Sequence, residues 1–212
     1  MTFEAILNAP VALSILIILL GISIWGLIKE DFRDKLILVP YDMMIYKEYW
    51  RIFTSGFVHG NINHMLLNGI TYFFFAFLVE ARMGHWQFAA LFVASLLISN
   101  GFVVWRYYQD SSYEGTLGAS GAISGIVLGA VLLNPHLTFG IPIISDFLPF
   151  LTLPAYMAAG IYILYSAISI FLPVKQTINH LAHLTGALAG IGLSFLLKPG
   201  LLGLLEESFR YV

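Results

Sequence analysis

Residues 117–133 read LGASGAISGIVLGAVLL, a stretch without a charge in which Gly121, Gly125 and Gly129 recur four apart. A helix of this composition has no polar face to offer water, so its surroundings must be apolar. It is marginal as a membrane span, because a hydrocarbon core ~30 Å thick takes about 20 helical residues. Asn134-Pro135 stops it. Glycines at four-residue spacing make a strip along which a second helix backbone can lie close. The stretch predicts a short, tightly packed helix in a membrane bundle, with Ser120 near its start.

The rest of the chain agrees. Of 212 residues, 59% are hydrophobic and 10% charged, and mean hydropathy is +0.86. A soluble domain carries roughly 25% charged residues. The net charge of −2 gives no reason to expect a nucleic-acid partner, and the lack of cysteine excludes disulfides, thiol catalysis and cysteine–metal sites. Charge-free runs predict spans at about 10–28, 61–79, 86–105, 117–133, 155–172 and 178–197. They are continuously apolar rather than alternating, which argues against a β-barrel. The expectation is an all-α, six-helix membrane bundle occupying residues 1–212 as one domain.

The first run lacks a basic segment before it and a small-residue cleavage site after it, so it reads as a retained helix and not a signal peptide. Between spans one and two, the polar stretch from Lys29 to about Gly56 also holds Tyr41, Tyr46, Tyr49 and Trp50, which suit a membrane interface. It reads as an ordered interfacial loop. Asn134 to about Leu153, with Pro142, Pro149 and then Pro154, reads as a re-entrant or interfacial loop. Lys29, Arg33, Lys35, Lys47, Arg51, Arg106 and Lys175 lie in the loops after spans one, three and five. A positive-inside count would therefore put the termini outside, although most of this bias sits in the one interfacial loop.

Polar side chains inside spans are costly and usually face the bundle interior. His64 and Asn68 lie near the start of span two, Ser120 near the start of span four and His183 near the start of span six. Even-numbered spans enter from one face, so these residues share one depth. Gly186 and Gly190 repeat the four-residue spacing on span six, and a seam facing Gly121 and Gly125 would bring Ser120 and His183 together. Neutral imidazole can take a proton from a serine hydroxyl and return it to a leaving amine. No Asp or Glu lies in spans four or six, so the arrangement would be a dyad. Asn68, His64 and the Ser120 backbone N–H are suitable oxyanion donors. Each residue alone also has a plain structural reading, as packing serine, interfacial histidine or helix-joining asparagine.

The ordered set resembles the rhomboid intramembrane serine proteases over about residues 49–195. The resemblance is carried by Trp50-Arg51, Phe57-Val58-His59, His64-Met65-Leu66-Leu67-Asn68 and Glu80-Ala81-Arg82-Met83-Gly84. Gly118-Ala119-Ser120-Gly121 and Ala182-His183-Leu184-Thr185-Gly186 with Gly190 complete it. It implies Ser120 as nucleophile, His183 as base, and His64, Asn68 and Gly118 at the oxyanion hole. It also implies that Trp50-Arg51 belongs to a membrane-embedded first loop and that His59 is structural. Glu80 and Arg82 are implied to tie spans two and three together. Family members cleave transmembrane segments, so the implied partners are the lipid bilayer and single-span membrane proteins, with no cofactor or metal. Bacterial six-helix members have cytoplasmic termini and a site open toward the outer face. That implies a multi-pass inner-membrane protein, here a minimal core without a further domain or seventh helix.

The family often has an aromatic residue four positions after the nucleophile, stacked on the catalytic histidine; here it is Ser124. His180 is a second imidazole beside His183 and an alternative base. A catalytically silent client-binding protein and a transporter with midplane polar groups are the competing classes, as is a metal site of His59, His64, His180 and His183. The chain lacks the His-Glu-x-x-His zinc motif, and no acidic relay crosses the membrane. Water is expected to reach Ser120 through a hydrophilic depression between spans two, four, five and six, gated by spans five and six with their Pro173–Thr177 connection.

Overall fold

The computed structural model describes residues 6–139, 152–172 and 179–210. Pro10 opens α1 (Pro10–Ile28) at the one helical turn where its missing N–H is not needed. The N-cap residue Ala9 offers no side-chain acceptor. Glu80 supplies one from the far end of α5 (Ile62–Met83), accepting from Val11 N at 3.1 Å and Ala12 N at 2.5 Å. Its carboxylate is fully buried and also meets His85 Nδ1 at 2.5 Å, at the start of α6 (His85–Tyr107). A charge inside a predicted span end is therefore the cap of the first helix. This explains why α5 runs past the charges expected to stop it.

The polar stretch after α1 folds into α2 (Glu30–Asp34), α3 (Pro40–Tyr46), α4 (Arg51–Thr54) and a 3₁₀ turn, Ser55–Phe57. Arg51 organises it. Its guanidinium donates to Glu48 Oε2 at 2.6 Å and to the carbonyls of Asp34 and Ile37 at 2.9 and 2.8 Å. Trp50 stays half exposed beside Tyr46 and Tyr49, as interfacial aromatics do.

Among the described residues, four helices are long and apolar enough to cross a membrane: α1, α5, α6 and α9 (His180–Leu197). Two shorter apolar helices, α7 (Ser120–Leu133) and α8 (Ala155–Ser169), stand beside them. The chain is a multi-pass helical membrane protein. α7 is the centre of the bundle, with nearly every side chain buried against α5, α6 and α9. It begins at Ser120 and not at Leu117, because Gly118 has φ +103° and gives its N–H to Ser55 O at 2.8 Å. Fourteen residues rise about 21 Å, less than the ~30 Å of hydrocarbon. The helix can be this short because protein, and not lipid, surrounds it, and in the non-helical backbone before it Thr116 and Gly118 donate to Leu38 and Ser55. Thr116 pairs with Leu38 across that approach.

The expected glycine seam is present as a backbone contact. A Cβ at Gly186 would fall on the backbone of Gly121, and one at Gly190 on that of Gly125. α8 packs on α9 and more lightly on α7, and it is not closely packed on α5. Arg82 differs from its expected role: Nη1 donates to Leu133 O at 3.1 Å, tying α5 to the end of α7. Glu80 does reach the third span through His85, and it also caps the first.

A two-residue antiparallel ladder, β1 (Thr138–Phe139) with β2 (Leu153–Pro154), leads into α8. The rest of the expected re-entrant loop, with Pro142 and Pro149, lies outside the described residues, as does the Pro173–Thr177 connection. Beyond Lys198-Pro199-Gly200 the sequence reading placed nothing. The structure has α10 (Leu201–Phe209) there, with Leu201 buried and its other apolar side chains largely exposed.

Candidate active site

Asn61 caps α5 by accepting from His64 N at 2.8 Å, which sets the first turn carrying His64 and, one turn later, Asn68. Ser120 is the first residue of α7, where backbone N–H groups have no intrahelical acceptor. His183 lies in the first turn of α9, whose cap Asn179 accepts from Ala182 N at 3.1 Å. Asn179 also donates to Tyr113 OH at 2.9 Å, so the loop before α7 fixes the start of α9.

Asn68, Ser120 and His183 line one cavity of about 420 Å³ between α5, α7, α8 and α9. Its polar lining groups are Asn68, Thr71, Ser120, Ser124, Tyr162 and His183. Away from them the walls are apolar, with Phe75, Val127, Val131 and Ala158 among the lining residues. The expected hydrophilic depression is therefore polar only around these groups. Gly118 closes the approach to them: a Cβ there would stand 2.8 Å from His64 Cε1 and 3.4 Å from Asn68 Nδ2. Ser120 and His183 face the cavity without a direct hydrogen bond between them among the described residues. Such bonds commonly tighten only when substrate binds.

Asn68 is held by a chain of hydrogen bonds whose directions are fixed. Ser23 Oγ on α1 donates to Phe57 O at 2.9 Å, so it accepts from His59 Nδ1 at 2.7 Å. His59 Nε2 then accepts from Asn68 Nδ2 at 2.8 Å. His59 is fully buried in the connection before α5, and its ring meets that of His64 edge-on at 4.9 Å. Burial, and next to it His64, pushes the His59 imidazole down to about 3. The relay needs this neutral form.

Between pH 6.5 and 3 the unfolded chain binds a proton that folded His59 refuses. Its contribution to stability therefore falls with pH across that window, by at most about 1.4 kcal/mol per unit. Melting in detergent is expected to show His59→Gln less stable than the parent at pH 7 but with a shallower decline to pH 4.5. Parallel declines would remove His59 from the titration.

The other histidine, His180, is buried, and its Nδ1 has no hydrogen-bond partner among the described residues. It packs edge-on against Tyr165 at 5.2 Å and does not line the cavity. Sequence reasoning missed Ser23 and Tyr162. Tyr162, on α8, lines the cavity, and its hydroxyl lies 2.6 Å from Ser124 Oγ. Both carried a signal as polar groups well inside apolar runs.

These features define a class: a helical membrane bundle with a serine and an imidazole opening on a shared internal cavity. The Rhomboid domain pattern matches residues 46–200, and the chain belongs to the rhomboid family. It is 29% identical over 193 residues to Rhomboid-like protein 11, chloroplastic, of Arabidopsis thaliana, covering 86% of this chain and 64% of that one. It is 24% identical over 225 residues to Rhomboid protease AarA of Providencia stuartii, covering 89% and 74%. With Rhomboid protease GlpG of Klebsiella pneumoniae (strain 342) it is 31% identical over 122 residues, 56% and 42%. The chain spans only 40–64% of the length of three of the Arabidopsis relatives that it matches.

Proposed function

We propose that this protein is an intramembrane serine endopeptidase that cleaves transmembrane segments of single-span membrane proteins, with Ser120 and His183 as a catalytic dyad. The observation that carries this reading is that Ser120, His183 and Asn68 open on one cavity in a family with relatives named proteases. His183 takes the proton from Ser120 Oγ as the oxygen attacks the scissile carbonyl. The oxyanion forms beside the Asn68 amide, His64 and the free N–H groups at the start of α7, with Gly118 keeping the space open. His183 returns the proton to the leaving amine, and water hydrolyses the acyl-enzyme by the same route.

Neutral dyad chemistry needs no metal or cofactor. His183 is favoured over His180 as base because His180 does not line the cavity. α7 and α8 complete a six-span bundle in the cell membrane with both termini in the cytoplasm. The substrate helix approaches between α5 and α8, which are not closely packed on each other.

The test is covalent labelling of the purified protein by a fluorophosphonate. The label is expected on Ser120 and is expected to be lost in His183→Ala. A label elsewhere, or equal labelling of His183→Ala, rejects the dyad.

A further inference from the structure

Two rings stand against the His183 imidazole, His180 on α9 and Tyr162 on α8. Tyr162 is different, since it reaches the site from α8, the peripheral helix. Its ring lies 6.3 Å from that of His183, centroid to centroid, tilted by 31°. That separation is within the range of interacting aromatic rings, and the planes are closer to parallel than to perpendicular. The other ring against His183, His180, meets it edge-on at 73°.

The hydroxyl of Tyr162 has a second connection. Ser124 Oγ donates to Ser120 O at 2.8 Å, one helical turn back, so its one proton is committed. Tyr162 OH, 2.6 Å away, is then the donor to Ser124 Oγ. One side chain thus places its ring beside the base and is linked through Ser124 to the nucleophile's own carbonyl. A large ring at position 124 would stand where the Tyr162 hydroxyl now meets Ser124 Oγ.

We propose that Tyr162 is the positioning residue of the dyad, supporting the His183 ring from α8 and fixing its distance from Ser120 through Ser124. This rests on the proteolytic reading above. It has a consequence for regulation: support for the base is lost whenever α8 moves away from α7. Occupation of the cavity by a substrate helix therefore has to preserve or restore the Tyr162 contact before cleavage.

The experiment uses a transmembrane peptide with a fluorophore and quencher in detergent micelles, with kcat and KM determined separately. Tyr162→Ala is expected to lower kcat about tenfold to a hundredfold, as a displaced base does, with KM within about threefold. Tyr162→Leu, which keeps bulk without a ring face, is expected to match it and serves if the alanine variant fails to fold. Tyr162→Phe keeps the ring and is expected to retain at least about a third of kcat. Ser124→Tyr combined with Tyr162→Ala is expected to recover activity over Tyr162→Ala, by returning a ring from α7.

Parent-like kcat in both Tyr162→Ala and Tyr162→Leu overturns the proposal, as does a loss in Tyr162→Phe equal to theirs. A failure of the parent protein to cleave and to take up fluorophosphonate would strike the proteolytic reading instead.

Discussion

Ser120→Ala is expected to reduce cleavage of a transmembrane peptide by about a thousandfold or more, while the melting temperature stays within about 2 °C. The large first effect follows from the proposed covalent catalysis, in which loss of Oγ leaves no acyl-enzyme and only binding and oxyanion stabilisation remain. The small second effect follows from position. Ser120 is only partly buried, and its hydroxyl supports no hydrogen bond among the described residues, so its loss leaves the packing of α7 intact. His183→Ala is expected to fall to a similar floor, and the double variant no further, because nucleophile and base act as a unit. Gel-resolved turnover of the three variants against the parent checks this. Substantial cleavage by Ser120→Ala, or a double variant far below both singles, would reject a shared covalent mechanism.

Gly186→Val is expected to be the most destabilising single change proposed for this chain. The position has no free volume: even a methyl group would fall on the carbonyl of Gly121, and backbone cannot rotate aside as a side chain can. Separating α9 from α7 forfeits contacts along the whole seam, since Gly190 makes the same approach to Gly125. A loss of about 3 kcal/mol or more follows, or roughly 6–12 °C in melting temperature for a chain of this size. Gly192→Ala on the same helix is the control, because nothing stands within 4 Å of the added methyl. Thermal unfolding in detergent compares them. Similar melting temperatures for the two variants would mean that the seam is not closely held in the folded protein.

The bundle was legible because lipid forces each span to declare itself as a long charge-free run. α1 matches its expected bounds of 10–28, and the other helices begin within a few residues of theirs. Charges misled at one place. Glu80 reads as a span end, yet it is buried in the service of a helix 68 residues earlier, a partnership no local pattern reveals. The candidate site was legible in part: Asn68, Ser120 and His183, expected at one depth, line one cavity, and the His64 ring stands beside Gly118 at its approach. Its supports were not. Ser23 and Tyr162 act across helices through single hydrogen bonds or ring faces, and their registers depend on helix rotations that composition does not encode. Ser124 was read as a position without the expected ring, but only the fold shows Tyr162 of α8 beside it.

The cap on α1 bears on how the chain is assembled. Ribosomal synthesis delivers residues 10–28 to the bilayer well before Glu80 exists. Until then Val11 and Ala12 present amide hydrogens at the start of a helix whose own cap residue has no acceptor. The first helix is thus completed retroactively, by a carboxylate that arrives at the end of the second span. A nascent fragment released before Glu80 would carry a frayed leading turn, whereas one released after His85 would hold both halves of the clasp.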